Sequence, residues 1–322
     1  MMPYRKCCNL REIKALPTVS SISRPPMQNQ FARVLRAQSL ATLVVLLVSL
    51  RAFVSPLLAA QAPPVPMRIK GSFVIAAICK DGIIVASDSR GTLKDSQGHR
   101  IAYYDVNQKI FPIGNSVIAD TGYASLNDPK VSFLSALMSD FASSPRSRTR
   151  LEQLPSSYFT YVNAALPADG ADSAKVQTLM FAGYDRGKPL LCIYKGESNR
   201  KMACRSSGYF ASPNIEIVGL KGVASLSFDR AARVMRRAIN NYAASISPGP
   251  VGGPVVVRVI TPSRSKWWGS HPHWPDWGSF DDLARDYQSS QVRFHLLPGA
   301  TKSDLDTLVA EGAAWARLGR TQ

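Results

Sequence analysis

The sequence predicts an α+β domain of four layers, an αββα sandwich with two sheets face to face and helices outside them. Three observations predict it. Apolar strand-like runs occupy 70–124 and return at 174–210 and 251–261. Helical spacing of apolar residues marks 128–165 and 227–246. The resulting order, strands, helices, strands, helix, strand, suits a layered α+β core.

Taken in order, "KGSFVIAAICKDGIIVASDSR" (70–90) reads as two strands joined at Lys80-Asp81-Gly82, since Asp-Gly is a strong hairpin signal. Its second strand ends in the charged Asp88-Ser89-Arg90, which a buried hairpin tolerates only with a partner. Residues 99–124 give two or three short strands with a turn at Gly114-Asn115. "DPKVSFLSALMSDFASS" places Val131, Leu134, Leu137, Met138 and Phe141 on one helical face, with Asp128-Pro129 at its start. A second helix is expected over 147–165. "AKVQTLMFAGYD", "KPLLCIYKG" and "NRKMACRSSGYF" are further strands. A helix over 227–246 points Ala231, Val234, Met235 and Ile239 inward, and "GGPVVVRVITP" closes as a strand.

The chain has 322 residues and 45% hydrophobic content, enough for a sizeable core. Its formal charge of +17 is unevenly spread: residues 1–62 carry eight Lys/Arg against the single Glu12, leaving +10 on the rest. No arginine-rich helix or aromatic-basic signature accompanies that charge, so no nucleic-acid partner is expected. "LATLVVLLVSL" (40–50), preceded by Arg33 and Arg36, matches the apolar region of an export signal and is too short to span a bilayer. The expectation is an exported protein, periplasmic or secreted, with no stable transmembrane domain after processing. An uncleaved membrane anchor is the alternative, and the acid-poor first 36 residues also resemble a transit peptide. Met27 is a more ordinary start for such a signal than Met1.

Three of the five cysteines lie beyond the leader. Cys192 and Cys204 flank a hairpin expected to turn near Ser198, which sets them opposite one another as a cross-strand disulfide or as two buried thiols. Cys79 reads as a core residue.

Four stretches in order, "GSFVIAAICKDGIIVASDSR", "DVNQKIFPIG", "IADTGYASL" and "LMFAGYD", resemble the proteasome β-subunit family of N-terminal-nucleophile hydrolases. The resemblance covers about 71–190 and weakens toward 260. It implies autocatalytic cleavage between Gly71 and Ser72, with Ser72 as nucleophile and its freed α-amine as base. That amine has an ordinary pKa of about 7.7–8.0 and takes a proton near neutrality. The resemblance further implies Asp88 as the buried carboxylate and Lys109 as the cation that steadies the serine oxygen. Arg90 would brace the cluster, and the Gly122 amide would donate to the oxyanion. The expected layout is a leader at 1–62, a propeptide or linker at 63–71, the hydrolase domain at 72–262, and an aromatic-rich insertion with a C-terminal helix at 263–322.

The chain departs from the family where a second polar group is usual. Leu220 and Lys221 stand at one such place, and Pro248 and Val251 at the other. "KWWGSHPHWPDWGSF" (266–280) has no family counterpart. Its His271 and His273 could join a metal site, but no carboxylate or cysteine cluster completes one, so no metal and no cofactor are expected. The expected function is an exported amidohydrolase, a peptidase acting on a peptide or other linear amide. The alternative is a catalytically silent scaffold or binding protein of the same fold. Assembly into a homo-oligomer is compatible with either.

Overall fold

The structure is a computed structural model that describes residues 65–196 and 201–321. The leader and the turn expected near Ser198 lie outside the described residues. Those described hold three antiparallel sheets and six α-helices, a mixed α/β architecture.

The described residues open with β1 (Met67–Lys70), inside the stretch expected to be a propeptide or linker. The hairpin β2 (Val74–Cys79) and β3 (Gly82–Ser87) follows, with every residue of both strands buried. Uniform burial matches their near-continuous apolar sequence, because such a strand needs cover on both faces. Next come β4 (Gly91–Asp95), β5 (Arg100–Tyr104), β6 (Ile110–Ile113) and β7 (Ser116–Asp120). Helix α1 (Leu134–Ser143) buries Leu134, Leu137, Met138 and Phe141 of the stripe its spacing predicts, while Val131 lies in the loop ahead of it and is half-buried. Asp128 does not start that helix; its Oδ1 binds the Lys130 and Val131 amides in the loop before it.

The helix expected over 147–165 is shorter, α2 (Leu154–Ala165), with a 3-10 turn at Pro145–Ser147 ahead of it. Pro155 explains the start: its missing N–H is harmless only in a first turn. Helix α3 (Ala168–Lys175) is additional, in a segment too rich in Ala, Gly, Asp and Ser to show an apolar stripe. Then come β8 (Thr178–Asp185), β9 (Lys188–Lys195), β10 (Lys201–Arg205) and β11 (Tyr209–Ser212). Helix α4 (Phe228–Ser245) is capped by Ser227. The chain ends with β12 (Val256–Ile260), β13 (Ser265–Trp267), α5 (Phe280–Gln288), β14 (His295–Leu296) and α6 (Lys302–Leu318).

The sheets run β10-β9-β8-β7-β6, β11-β2-β3-β12-β13 and β1-β4-β5-β14. One apolar cluster joins the facing sides of the two five-stranded sheets, with Val74, Ala76, Ile83 and Val85 against Val117, Ala119, Met180 and Ile193. A second packs α1 and α2 on the β6–β10 sheet through Leu137, Phe141, Tyr158 and Phe181. A third packs α4 on the β2–β3 sheet through Ile75, Ala86, Met235 and Ile239. The small sheet has a core of its own, where Met67, Ile69, Leu93 and Tyr104 lie under α5 and α6. The boundary expected at 262–263 falls inside the β12–β13 hairpin, where Ile260 pairs with Ser265.

Candidate active site

Asp88 follows directly on β3 and is wholly buried. Its Oδ1 accepts the Phe73 amide at 2.7 Å and lies 2.8 Å from Lys109 Nζ. Its Oδ2 accepts the amides of Arg90 at 3.2 Å and Gly252 at 3.0 Å. Three backbone donors and a cation meet the cost of burying the carboxylate, which explains how a hairpin strand can end in charge.

Lys109, just before β6, is equally buried. Apart from the ion pair, Nζ has no partner in hydrogen-bond geometry. Burial pushes the lysine pKa down, against the opposing pull of Asp88 and, less strongly, of Asp120 and Asp105. Asp120 ends β7, and its amide donates to the Lys109 carbonyl at 2.9 Å. Burial raises its carboxyl pKa to about 7, against the Gly122 amide and Lys109, which lower it.

Ser72 sits half-buried between β1 and β2, and its Oγ donates to the Gly71 carbonyl oxygen at 2.7 Å. Gly71 has φ +128°, and a Cβ there would overlap the Pro250 carbonyl, so the position demands glycine. The Phe73 amide ties the nucleophile candidate to the atom of Asp88 that Lys109 also approaches. The backbone next to Ser72 is therefore linked to the Asp88–Lys109 pair.

Arg90 braces this place from outside. Its guanidinium makes two bonds to Asp105, at 2.8 and 3.2 Å, and stacks 3.7 Å over the Tyr103 ring. Its link to Asp88 runs through the backbone alone. A Cβ on Gly252 would overlap the Arg90 guanidinium, so the glycine turn and the arginine fit each other.

Gly122 is engaged within the chain. Its amide donates to Asp120 Oδ1 at 3.1 Å, so the donor already has a partner within the chain. A Cβ there would overlap Gln177 Oε1, which accepts the Tyr123 amide at 2.7 Å. The glycine makes room for Gln177. Asp105, Asp120 and Gln177 stand against the candidate residues or their loops and were not named from the sequence. Asp105 and Asp120 stand inside "DVNQKIFPIG" and "IADTGYASL", where a carboxylate beside a strand end was the available signal.

At the departures from the family pattern, Leu220 and Val251 are buried in the apolar cluster under α4, and Lys221 pairs with Glu216 at 2.8 Å on the surface. Cys192 and Cys204 pair directly across β9 and β10 and are joined by a disulfide. The Cys79 thiol is buried, which pushes its pKa up to about 11. In the Trp/His-rich segment, His271 stacks on Trp274, and Trp267 lies on the edge strand β13. Among the described residues no group of three or more His, Cys, Asp or Glu is placed to hold a metal ion. No helix among them is long and apolar enough to cross a membrane.

No protein-family model matches the chain, and no curated protein matches it. Among solved structures it is similar to the Anbu (Gly-1) mutant from Hyphomicrobium sp. strain MC1, at 13% identity and a TM-score of 0.43, over 78% of this chain and 97% of that one.

Proposed function

We propose that this chain is an exported N-terminal-nucleophile amidohydrolase, a peptidase of proteasome-like αββα fold. The observation that carries the reading is one shared atom: Asp88 Oδ1 binds the amide that follows Ser72 and pairs with the buried Lys109. In the first step Ser72 Oγ adds to the Gly71 carbonyl carbon, the C–N bond breaks, and the nitrogen leaves as the free α-amine. Water then cleaves the resulting ester. In later turnovers that amine takes the hydroxyl proton as Oγ adds to a peptide carbonyl, and gives it to the leaving nitrogen. Lys109 favours negative charge on the serine oxygen, and Asp88 holds Lys109 in place.

N-terminal sequencing and intact mass of the purified protein test the reading. The expected product begins at Ser72, and Ser72→Ala leaves the chain uncut and inactive toward amide probes. An intact 71–72 bond, or retained turnover in Ser72→Ala, removes Ser72 from the mechanism.

Two observations favour a second reading, a catalytically silent scaffold. The residues ahead of Ser72 form a strand that buries Met67 and Ile69, and the Gly122 amide is taken by Asp120. A scaffold would begin near residues 60–63 and hydrolyse nothing.

A further inference from the structure

Strand β1 leads straight to the bond read above as the cleavage site, and it is unusually well held. On one side it pairs with β4, from Met67 opposite Asp95 to Lys70 opposite Thr92. On the other it meets the Gly122 loop: the Ala124 amide donates to the Ile69 carbonyl at 2.9 Å, the Ile69 amide donates to Ser125 Oγ at 2.9 Å, and Lys70 bridges to Tyr123. Met67 and Ile69 are wholly buried, in the cluster that Phe280 and Leu283 of α5 and Leu305, Leu308 and Val309 of α6 close from above.

The carbonyl of the first cut belongs to Gly71. The backbone that presents it to Ser72 Oγ must present every later carbonyl too, so a peptide substrate has to lie where β1 lies. We infer that the segment ending at Gly71 stays bound after the cut, held by α5 and α6, and so blocks the acyl side of the peptide site. The device rests on Ser72 being the nucleophile. Cleavage frees β1 covalently but removes neither its two-sided hydrogen bonding nor the burial of Met67 and Ile69. It adds a new Gly71 carboxylate beside the new Ser72 amine, so each end finds an opposite charge. The same lane defines the substrate class: an extended peptide with a small residue at the cleaved bond and apolar residues two and four places before it, as Ile69 and Met67 stand before Gly71. Release of β1 is then the activating event.

The test uses the full chain. Native size-exclusion followed by denaturing mass spectrometry should find the fragment ending at Gly71 co-eluting with a body that starts at Ser72. Ile69→Asp should release that fragment at least about tenfold faster, through lost apolar burial and a buried charge. The same change should raise hydrolysis of a peptide amide with the acyl sequence Met-Arg-Ile-Lys-Gly. Should Ile69→Asp fail to fold, an isotopically labelled peptide of residues 63–71 offered to the cut wild type decides instead. One peptide per cut chain, native or labelled, supports the inference; a cut body that holds neither overturns it. A cut wild type that sheds its fragment in native buffer, or a folded and cut Ile69→Asp that is no faster, overturns it as well. An uncut chain overturns the Ser72 reading, and the retention of a fragment with it.

Discussion

Asp88 and Lys109 form an ion pair at 2.8 Å with both side chains wholly buried, yet the two are unequally provided for. Asp88 keeps three backbone amides when the lysine is gone, whereas Lys109 depends on Asp88 alone for a contact at hydrogen-bonding range. The asymmetry sets an order of cost. Asp88→Ala strands an ammonium and three amides and should lose about 3–5 kcal/mol of folding stability. Lys109→Met leaves a buried carboxylate still held by three amides and should lose about 1–3 kcal/mol, while abolishing amide hydrolysis. Urea unfolding of both variants checks the order; a costlier Lys109→Met would make the lysine the structural member of the pair.

Asp120 gives the protein a pH dependence of known sign. Burial places its folded pKa about 7, against an ordinary 3.8. Between those values the folded state holds more protons than the unfolded one, so this carboxyl's contribution is fully present below pH 3.8. It is lost as pH climbs toward 7. Lys109, whose pKa is lowered, works in the opposite sense, between its lowered folded value and the ordinary lysine value. Asp120→Asn should therefore flatten the fall in thermal midpoint between pH 4 and 7 relative to the parent. Parallel curves for the two proteins would remove Asp120 from the titration.

The hairpin at 70–90, the α1 stripe and α4 were legible because local period and long-range burial agree there. Of the four inward positions on α4 that spacing names, Ala231, Met235 and Ile239 are buried and Val234 is partly so. β1 was not legible: its four residues "MRIK" alternate apolar and basic, and their cover comes from helices more than 200 positions later. α3 lacked an apolar stripe for the same local reason. At the site, Asp88 announced itself as a charge ending an apolar strand. Gln177 gave no such signal, since its role is to accept one amide across 54 positions.

Gly122 and Gln177 should be energetically coupled. A methyl at 122 overlaps Gln177 Oε1 and must push it off the Tyr123 amide. Gly122→Ala should cost about 1–3 kcal/mol alone, as other overpacked sites do. In a Gln177→Ala background the clash is gone and the amide already unpaired, so the added cost should shrink by at least about 0.5 kcal/mol. A double-mutant cycle measures it; additive costs would mean the loop accommodates both side chains.

The Cys192–Cys204 disulfide closes a short loop, with a sequence separation of 12, at the edge of the β6–β10 sheet. Cross-links of that span restrict the unfolded chain by about 3 kcal/mol. Cys192→Ala with Cys204→Ala should lower stability by that order, and reductant should do the same to the parent while leaving the double variant unmoved. A reductant effect on the double variant would mean that the loss in the parent does not come from this bond alone.

Gly71 should matter more before cleavage than after. In the continuous chain its φ of +128° and its approach to the Pro250 carbonyl exclude a side chain. Once the 71–72 bond is broken, no peptide bond fixes the backbone angles of residue 71, and it can shift off the Pro250 carbonyl while the strand before it stays bound. Gly71→Ala in a Ser72→Ala background, where the chain stays whole, should cost about 1–3 kcal/mol of backbone strain. With Ser72 intact, the same substitution should cost the processed protein markedly less, because cutting relieves the clash. Comparing thermal unfolding of the two Gly71→Ala proteins against their own parents checks this. Equal costs in both would mean that the geometry at residue 71 is kept after the bond is gone, or that the bond is never cut, and intact mass tells those two apart.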